Sequence, residues 1–306
     1  MPGQQFWLAI CLHGKQTGVS FVYKFDGQLR HSKTRDVQDI AWILMFADDI
    51  ALVTEPESDL HRAVDILDST FAQWGLEMSL KKTKIMPLLA AASTQQHLST
   101  GRGSIEYVDQ FKYLGSISAA GLAMQPEISH RLSQAGHAFQ KLIKLWSDKH
   151  LARHVKCSIY KTIVQATLLY GCETWAVPAA LLSHLDTFQM RCLRRISRIS
   201  LRQKITNVDI RAACNTESVK VLVSYRRLRW LGHLARMSDE RLPKRLLFAT
   251  LEQNENSQPH AGRPDKPWSD YVRNDPEKLN LLYNRYNVAQ ERDKWRSSIT
   301  KLLEHT

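Results

Sequence analysis

The chain has 306 residues, of which 43% are hydrophobic and 24% charged, and its formal net charge at pH 7 is +12. This length and composition predict a soluble globular protein of about two domains. The five cysteines form no C-x-x-C pair, so the sequence indicates neither a zinc site nor a disulfide framework, and we expect an intracellular protein.

The apolar run at residues 6–12 is too short to span a bilayer and lacks a basic leader, so neither a membrane helix nor a signal peptide is predicted. The positive charge is concentrated in residues 131–230, which contain eighteen Lys and Arg against five Asp and Glu. A basic block of this kind favours a polyanionic partner, most simply nucleic acid. A solvated basic surface is the alternative.

A first hairpin is predicted from residue 18, where apolar and polar residues alternate up to the turn Asp26-Gly27. Asp26 is a candidate catalytic carboxylate, but an aspartate before glycine more often shapes the turn.

The second predicted hairpin is central to the functional interpretation. Two apolar, strand-forming runs in residues 42–53 flank Asp48 and Asp49, which predicts buried strands with the paired carboxylates at their bend. Adjacent carboxylates repel each other and are costly to bury, and a hard cation such as Mg²⁺ resolves that conflict. An acidic turn between core strands is the alternative.

A helix is then expected from Ser58, its predicted cap, to Gly75, which ends it. The helix should lie across the sheet that carries the acidic hairpin. A short strand is predicted at residues 76–79, before a lysine-rich segment that includes Lys82. Such a segment more often marks a solvated edge than a phosphate site.

Residues 90–103 are small and polar and predict a loop. Residues 104–118 predict two short strands, the second carrying the segment Phe111-Lys112-Tyr113-Leu114-Gly115. Aromatic packing in a core is the alternative to a binding role for this segment.

From about residue 124 the apolar spacing becomes helical. The first helix places Arg131 among its surface residues, and the next, over residues 153–170, is apolar around its girth and should be central in a bundle. Pro178 begins a third helix. Thr206-Asn207 and Thr216 begin two more, the second ending near residue 237, and a helix-turn-helix is a less favoured interpretation of this pair.

Arginines dominate the third and the last of these helices. Like charges one turn apart cost roughly 0.2–0.5 kcal/mol per pair, so a row of them is easier to understand if phosphates relieve the repulsion. The predicted nucleic-acid-binding arginines are Arg191, Arg194, Arg195, Arg198, Arg226, Arg227 and Arg229.

Residues 252–268 predict a mobile linker. A short helix is expected to follow from Asp275-Pro276, and a last helix over residues 287–303 with Trp295 on its apolar side.

An ordered series of motifs over residues 18–250 resembles the reverse transcriptases of non-LTR (LINE-type) retrotransposons. The series is F-A-D-D at 46–49, G-L…K-K-T at 75–83, F-x-Y-L-G at 111–115, L-L-Y-G-C-E-T-W at 168–175 and R-R-L-R-W-x-G-H at 226–233. Ser79 stands where that family usually has asparagine.

The resemblance implies an RNA-directed DNA polymerase whose palm holds two Mg²⁺ ions and whose helical thumb holds an RNA template paired with a DNA primer. It assigns metal binding and catalysis to Asp48 and Asp49, and contact with the incoming dNTP to Lys82. The hairpin of Phe111, Tyr113 and Gly115 would hold the primer end. Cys172, within the fourth motif, is expected to be a packed thiol.

The family's preceding aspartate motif, its Q-G-x-x-[LV]-S-P segment and its fingers are not found in this chain. We therefore expect the chain alone to polymerise DNA barely or not at all. A non-catalytic nucleic-acid-binding module and an inert remnant of a decayed element are the alternatives.

The predicted fold is α+β. A partial palm, with a small antiparallel sheet and a helix, is expected over residues 1–120. A helical thumb-like bundle should occupy residues 121–240, and a linker with C-terminal helices residues 241–306.

Overall fold

A computed structural model describes residues 19–23, 37–41, 43–54, 57–87, 97–121, 123–251, 268, 271–272 and 289–303. The fold is α+β, as predicted, with small sheets followed by a mainly helical region. The chain divides into two compact units. The first unit comprises Met1–Thr83, His97–Ile105 and Phe248–Pro259, and the second comprises Lys84–Gln96, Glu106–Leu247 and His260–Thr306.

The strands are β1 (Val19–Tyr23), β2 (Val37–Ala41), β3 (Ile43–Phe46), β4 (Asp49–Leu52), β5 (Lys84–Ile85), β6 (His97–Thr100), β7 (Gly103–Tyr107), β8 (Gln110–Tyr113), β9 (Ser116–Ala119) and β10 (Ala249–Leu251). The helices are α1 (Glu57–Gln73), α2 (Gln125–Lys141), α3 (Ile143–Ser147), α4 (Arg153–Ile159), α5 (Ala166–Leu168), α6 (Ala179–Ser197), α7 (Asn207–Ala213), α8 (Val219–Arg236), α9 (Leu242–Phe248) and α10 (Arg292–Thr300).

In the first unit, β1 is the central strand of a three-stranded antiparallel sheet between β2 and β10. Phe21 pairs with Asp39 on one side and with Leu251 on the other. β1 confirms the first strand of the predicted hairpin, whereas Asp26 and its turn lie outside the described residues. The pairing with β10 was not predicted, because residues 249–251 are too few to show a strand pattern.

Helix α1 is confirmed, with Ala63, Val64 and Leu67 buried on one face. It begins at Glu57, so Ser58 lies in its first turn and the prediction that Ser58 is the cap was wrong. Gly75 ends the helix at φ +68, and the Leu76 amide donates to the Phe71 carbonyl at 2.8 Å, the hydrogen bond of a Schellman cap.

Two predictions in the next segment were wrong. Residues 76–79 are not a strand, and residues 97–100 form β6 rather than a loop. β6 and β7 turn at Gly101 and Arg102, and Arg102 forms an ion pair with Asp68 of α1 at 3.1 Å. A two-residue turn suffices to join two short strands, so the small, polar composition of this segment did not require a loop.

In the second unit, β8 and β9 form the antiparallel hairpin predicted around residues 111–115. The end of β7 pairs in parallel with β5. The helices after residue 124 are confirmed as a bundle whose core is formed by fully buried apolar side chains. This core includes Ile128, Trp146, Tyr160, Val164, Leu168, Leu185, Leu193 and Ile210.

Details of the bundle differ from the sequence pattern at three points. The first predicted helix breaks at Leu142 into α2 and α3, and the second contains a π-helical segment, Tyr160–Gln165, between α4 and α5. α8 begins after Ser218, whose hydroxyl accepts from the Val221 amide at 3.3 Å. Thr216, the predicted start, is instead buried and donates to the Gln165 side chain at 3.2 Å.

The C-terminal helix α10 packs against α8, and Trp295 is buried as predicted. Its indole N–H donates to the Leu228 carbonyl at 3.0 Å. The predicted linker and the helix expected at Asp275-Pro276 lie mostly outside the described residues. Among the helices that the structure describes, none has both the length and the apolar character needed to cross a membrane.

Candidate acidic hairpin and nucleic-acid interface

The paired aspartates lie at the bend of the β3–β4 hairpin, in the first unit. Phe46 pairs with Asp49 across the hairpin, so the two turn residues are Ala47 and Asp48. Ala47 adopts φ +53, a left-handed conformation that matches the twist of a two-residue hairpin but is uncommon for a residue with a side chain. Both carboxylates are exposed.

The strands of this hairpin are not buried, which corrects the sequence prediction. Leu44, Met45 and Phe46 are 41%, 47% and 63% exposed. β3 and β4 pair with each other in a sheet of two strands. A sheet of two strands cannot bury its apolar side chains unless other elements pack against its faces. An apolar run identifies a strand but does not determine whether other elements cover it.

The described residues around Asp48 and Asp49 do not complete a metal site. Over the part of the chain that the structure describes, no three His, Cys, Asp or Glu side chains come together in a group that could hold an ion. Mg²⁺ requires near-octahedral oxygen coordination, and two neighbouring exposed carboxylates supply only part of it. We therefore derive no catalytic step through a metal from these residues.

Lys82 belongs to the same unit and lies in an exposed turn over residues 80–82. The Ser79 carbonyl holds this turn by accepting from the amides of Lys82 and Thr83 at 3.0 and 2.9 Å. Within the described residues, Lys82 forms no ion pair with Asp48 or Asp49. The Lys82 ammonium group is thus exposed to solvent, as expected for a solvated edge. Within the described residues it does not contact the acidic pair.

The hairpin of Phe111, Tyr113 and Gly115 belongs to the second unit. Phe111 and Tyr113 share one face of β8 and are half-buried, whereas Lys112 points to the other face and is exposed. His130 of α2 lies near this cation. Burial lowers the pKa of His130, and the charges of Arg131 and Lys112 lower it further. The hairpin therefore presents positive charge at Lys112.

The predicted arginine row on α6 is only partly available to a ligand. Arg191 and Arg195 are exposed. Arg194 is half-buried and donates to the Ile205 carbonyl at 2.9 Å and to the Asn207 side chain at 3.1 Å. Arg198 caps the helix in a left-handed conformation at φ +56 and donates to the Ser147 carbonyl at 2.8 Å.

The arginines of α8 divide in the same way. Arg226 donates to the Leu169 carbonyl at 2.8 Å, and Arg227, which is 2% exposed, donates to the Trp175 carbonyl at 3.1 Å. Arg229 is exposed, with its guanidinium 5.9 Å from the centre of the Tyr225 ring. The first two arginines thus bind the chain itself and stabilise the 168–175 motif.

Cys172 of that motif is fully buried, and burial raises its pKa to about 12, as expected for a packed thiol.

The sequence did not predict a functional role for Glu127, Arg131 and Tyr170. Arg131 and Tyr170 contact the β8–β9 turn, and Glu127 contacts β9 and Arg131. The sequence signal for them is the four-residue spacing of an acid and a base on α2.

Comparison with known proteins shows what part of the chain is similar to. Residues 19–117 match the family described as reverse transcriptase (RNA-dependent DNA polymerase). The chain is also similar to an uncharacterized transposon-derived protein of Caenorhabditis elegans, with 27% identity over 236 residues that cover 75% of this chain and 83% of the relative. No solved structure matches the chain.

The segment that is similar to the reverse transcriptase family includes the acidic hairpin, Lys82 and the β8 strand. The alignment of 236 residues is more than twice as long as this segment, so the similarity to the C. elegans protein extends to residues outside it.

Proposed function

We propose that this chain derives from the reverse transcriptase of a non-LTR retrotransposon and acts inside the cell by binding an RNA–DNA duplex, with little or no polymerase activity alone. The observation that carries the proposal is the match of residues 19–117 to the reverse transcriptase family. The similarity to a transposon-derived protein supports the origin. In this proposal residues 1–120 correspond to a partial palm, residues 121–240 to a thumb and residues 241–306 to a C-terminal region.

The exposed cations of the helical unit support the binding role. Arg191 and Arg195 lie exposed on α6. The hydrogen bond from Arg198 to the Ser147 carbonyl brings the end of α6 beside the end of α3, where Lys144 and Lys149 are also exposed. Cations from two helices at one end of a bundle match the repeated phosphates of a duplex backbone.

The structure narrows the list of proposed contacts. Arg194, Arg226 and Arg227 bind carbonyls of the chain itself and, unlike Arg198, are not exposed, so we propose them as residues that stabilise the fold rather than phosphate ligands. Arg191, Arg195, Arg198 and Arg229 remain the proposed phosphate contacts. Phe111, Tyr113 and Gly115 remain the proposed primer-end hairpin.

The proposed catalytic residues are Asp48, Asp49 and Lys82, with a dNTP as substrate. The two carboxylates would supply ligands to Mg²⁺, whose chemistry in such sites is to activate an attacking hydroxyl and stabilise a leaving pyrophosphate. Because the described residues provide no group of three ligands, we propose that polymerase activity is impaired. The inert remnant is the outcome in which binding also fails.

The binding role is tested by a salt titration with a short RNA–DNA duplex. The dissociation constant of the whole chain should rise steeply with KCl concentration. Arg195→Ala should lower the slope of log K against log salt by about 0.9, the value for one lost phosphate contact.

The matched control is Arg62→Ala, which removes one exposed positive charge from α1 in the other unit. It should leave the slope unchanged. Equal slopes for Arg195→Ala and the unsubstituted chain would exclude α6 as the contact surface, and absence of binding at low salt would overturn the binding role.

A further inference from the structure

We propose that Arg131 and Tyr170 are positioning residues that hold the turn of the β8–β9 hairpin in place for its contact with nucleic acid. The inference rests on the proposed function in one respect, namely that this hairpin contacts the duplex. The network that fixes the turn is independent of that assumption.

The turn has an unusual backbone. Tyr113 pairs with Ser116, so Leu114 and Gly115 are its two residues, and their φ angles are +46 and +86. Two consecutive left-handed residues are typical of a type I′ hairpin turn. Leucine is strained in this conformation, which the surrounding contacts must offset.

Two side chains from the helical bundle bind the two carbonyls of this turn. The Tyr170 hydroxyl donates to the Leu114 carbonyl at 3.0 Å. The Arg131 guanidinium donates to the Gly115 carbonyl through Nη2. Tyr170 and Arg131 are also in contact with each other, since the guanidinium carbon lies 4.7 Å from the centre of the phenol ring. The turn is thus held at both of its peptide oxygens.

A buried carboxylate completes the network. Arg131 Nε donates to Glu127 Oε1 at 2.7 Å, and the Ile117 amide of β9 donates to Glu127 Oε2 at 2.6 Å. Glu127 and Arg131 are 3% and 5% exposed. A buried ion pair is tolerated when hydrogen bonds satisfy both groups, as they do here, and its loss would leave an uncompensated charge.

Two glycines make the close approach possible. A Cβ at Gly115 would lie 3.4 Å from the Tyr170 ring, and a Cβ at Gly171 would lie 3.2 Å from the Ser116 hydroxyl. Gly171 also has φ +72. The motif at residues 111–115 and the motif at residues 168–175 are therefore two sides of one packed contact, which explains why both contain glycine next to the contacting residues.

This contact determines which part of the hairpin can contact a ligand. Each turn carbonyl already accepts a hydrogen bond from the bundle, so we infer that the turn backbone holds the hairpin in place. Lys112 is exposed on the other face of β8 and shares that face with Gln110, which is also exposed. We therefore assign the phosphate contact of the hairpin to Lys112, with Arg131 and Tyr170 acting through the hairpin.

The test compares Tyr170→Phe with Tyr160→Phe in the full chain. Tyr160 is a suitable control because its buried hydroxyl makes no hydrogen bond within the described residues. Without nucleic acid, amide hydrogen exchange over residues 110–119 should become about two- to tenfold faster in Tyr170→Phe, the effect of one lost hydrogen bond, and stay unchanged in Tyr160→Phe. Arg131→Lys keeps the positive charge but loses the planar set of guanidinium N–H donors, so it should also make amide hydrogen exchange over these residues faster.

The second measurement uses a photo-cross-linking residue at Gln110 and a short RNA–DNA duplex. Tyr170→Phe should reduce cross-linking several-fold. It should lower the salt slope of binding by no more than about 0.9, the value for the Lys112 contact alone, because the arginines of α6 are untouched. A role in folding alone would weaken the contacts of α6 as well, and the slope would then fall further.

Unchanged exchange in both Tyr170→Phe and Arg131→Lys would overturn the network. Equal cross-linking with and without the Tyr170 hydroxyl would overturn the positioning role. If the unsubstituted chain does not bind the duplex, the proposed function fails, and the exchange measurement still decides whether the network holds the turn.

Discussion

Four of the seven arginines predicted to bind nucleic acid donate to main-chain carbonyls of other segments. They are Arg194, Arg198, Arg226 and Arg227. The accepting carbonyls lie where a helix ends or the chain leaves regular structure, so they lack the amide four residues later that a continuing helix would supply. A guanidinium offers five donors in a planar fork and can satisfy such a carbonyl while its aliphatic stem packs. These arginines of the predicted binding surface therefore also stabilise the fold.

Arg227→Ala should destabilise the chain by about 1–3 kcal/mol, because the buried Trp175 carbonyl would lose its donor. Arg229→Ala, two positions later on the same helix and exposed, is the control and should change the free energy of unfolding by less than about 0.5 kcal/mol. Urea denaturation measures both. A smaller loss for Arg227 than for Arg229 would contradict this stabilising role.

At the scale of elements, α8 carries the packing of the C-terminal helix. Trp295 of α10 lies against Gly232, where a Cβ would be 2.3 Å from the indole nitrogen. Arg236 and Gln290 add hydrogen bonds, since Arg236 donates to the Ala289 carbonyl at 2.7 Å and Gln290 donates to the Ala235 carbonyl at 2.8 Å. The motif at residues 226–233 thus forms a docking surface for the chain's own C-terminal helix.

Gly232→Ala should therefore cost about 1–3 kcal/mol of unfolding free energy, because the added methyl group must displace Trp295. Gly136→Ala is the control. Gly136 lies inside α2, and its nearest neighbour would be 4.0 Å from an added Cβ. This substitution should stabilise by about 0.5–1 kcal/mol through helix propensity. Urea unfolding of the two variants should give changes of opposite sign, and the same sign for both would refute the close packing.

At the scale of the whole molecule, the buried core and the acidic hairpin belong to different units. The apolar core is made by the helices of the second unit, whereas Asp48 and Asp49 are exposed on a two-stranded hairpin of the first. Precise positioning of catalytic groups requires side chains held by surrounding packing. The exposed hairpin lacks such packing within the described residues.

The purified chain should therefore show no Mg²⁺-dependent dNTP incorporation on a primed RNA template. The same template with an active reverse transcriptase is the assay control. Incorporation by this chain that disappears in Asp48→Ala would show that the acidic pair is a working site and would overturn the proposed impairment.

Periodicity and turn chemistry in the sequence were sufficient to identify the α+β class, the acidic hairpin and the helices of the bundle. These features depend on neighbouring residues, because helical spacing and a two-residue turn are local properties. Val64, Ile128 and Leu185 are accordingly buried as their spacing predicts.

Burial of the acidic hairpin, the partners of the arginines and the Glu127–Arg131–Tyr170 network were determined only by the tertiary structure. Each depends on which distant segment covers a residue or supplies its hydrogen-bond partner. Arg131 follows the surface pattern of α2, yet it is buried because the turn at Leu114 and Gly115 packs on it. A buried charge is stable only where such partners surround it, and which distant residues come together is determined by the folded chain.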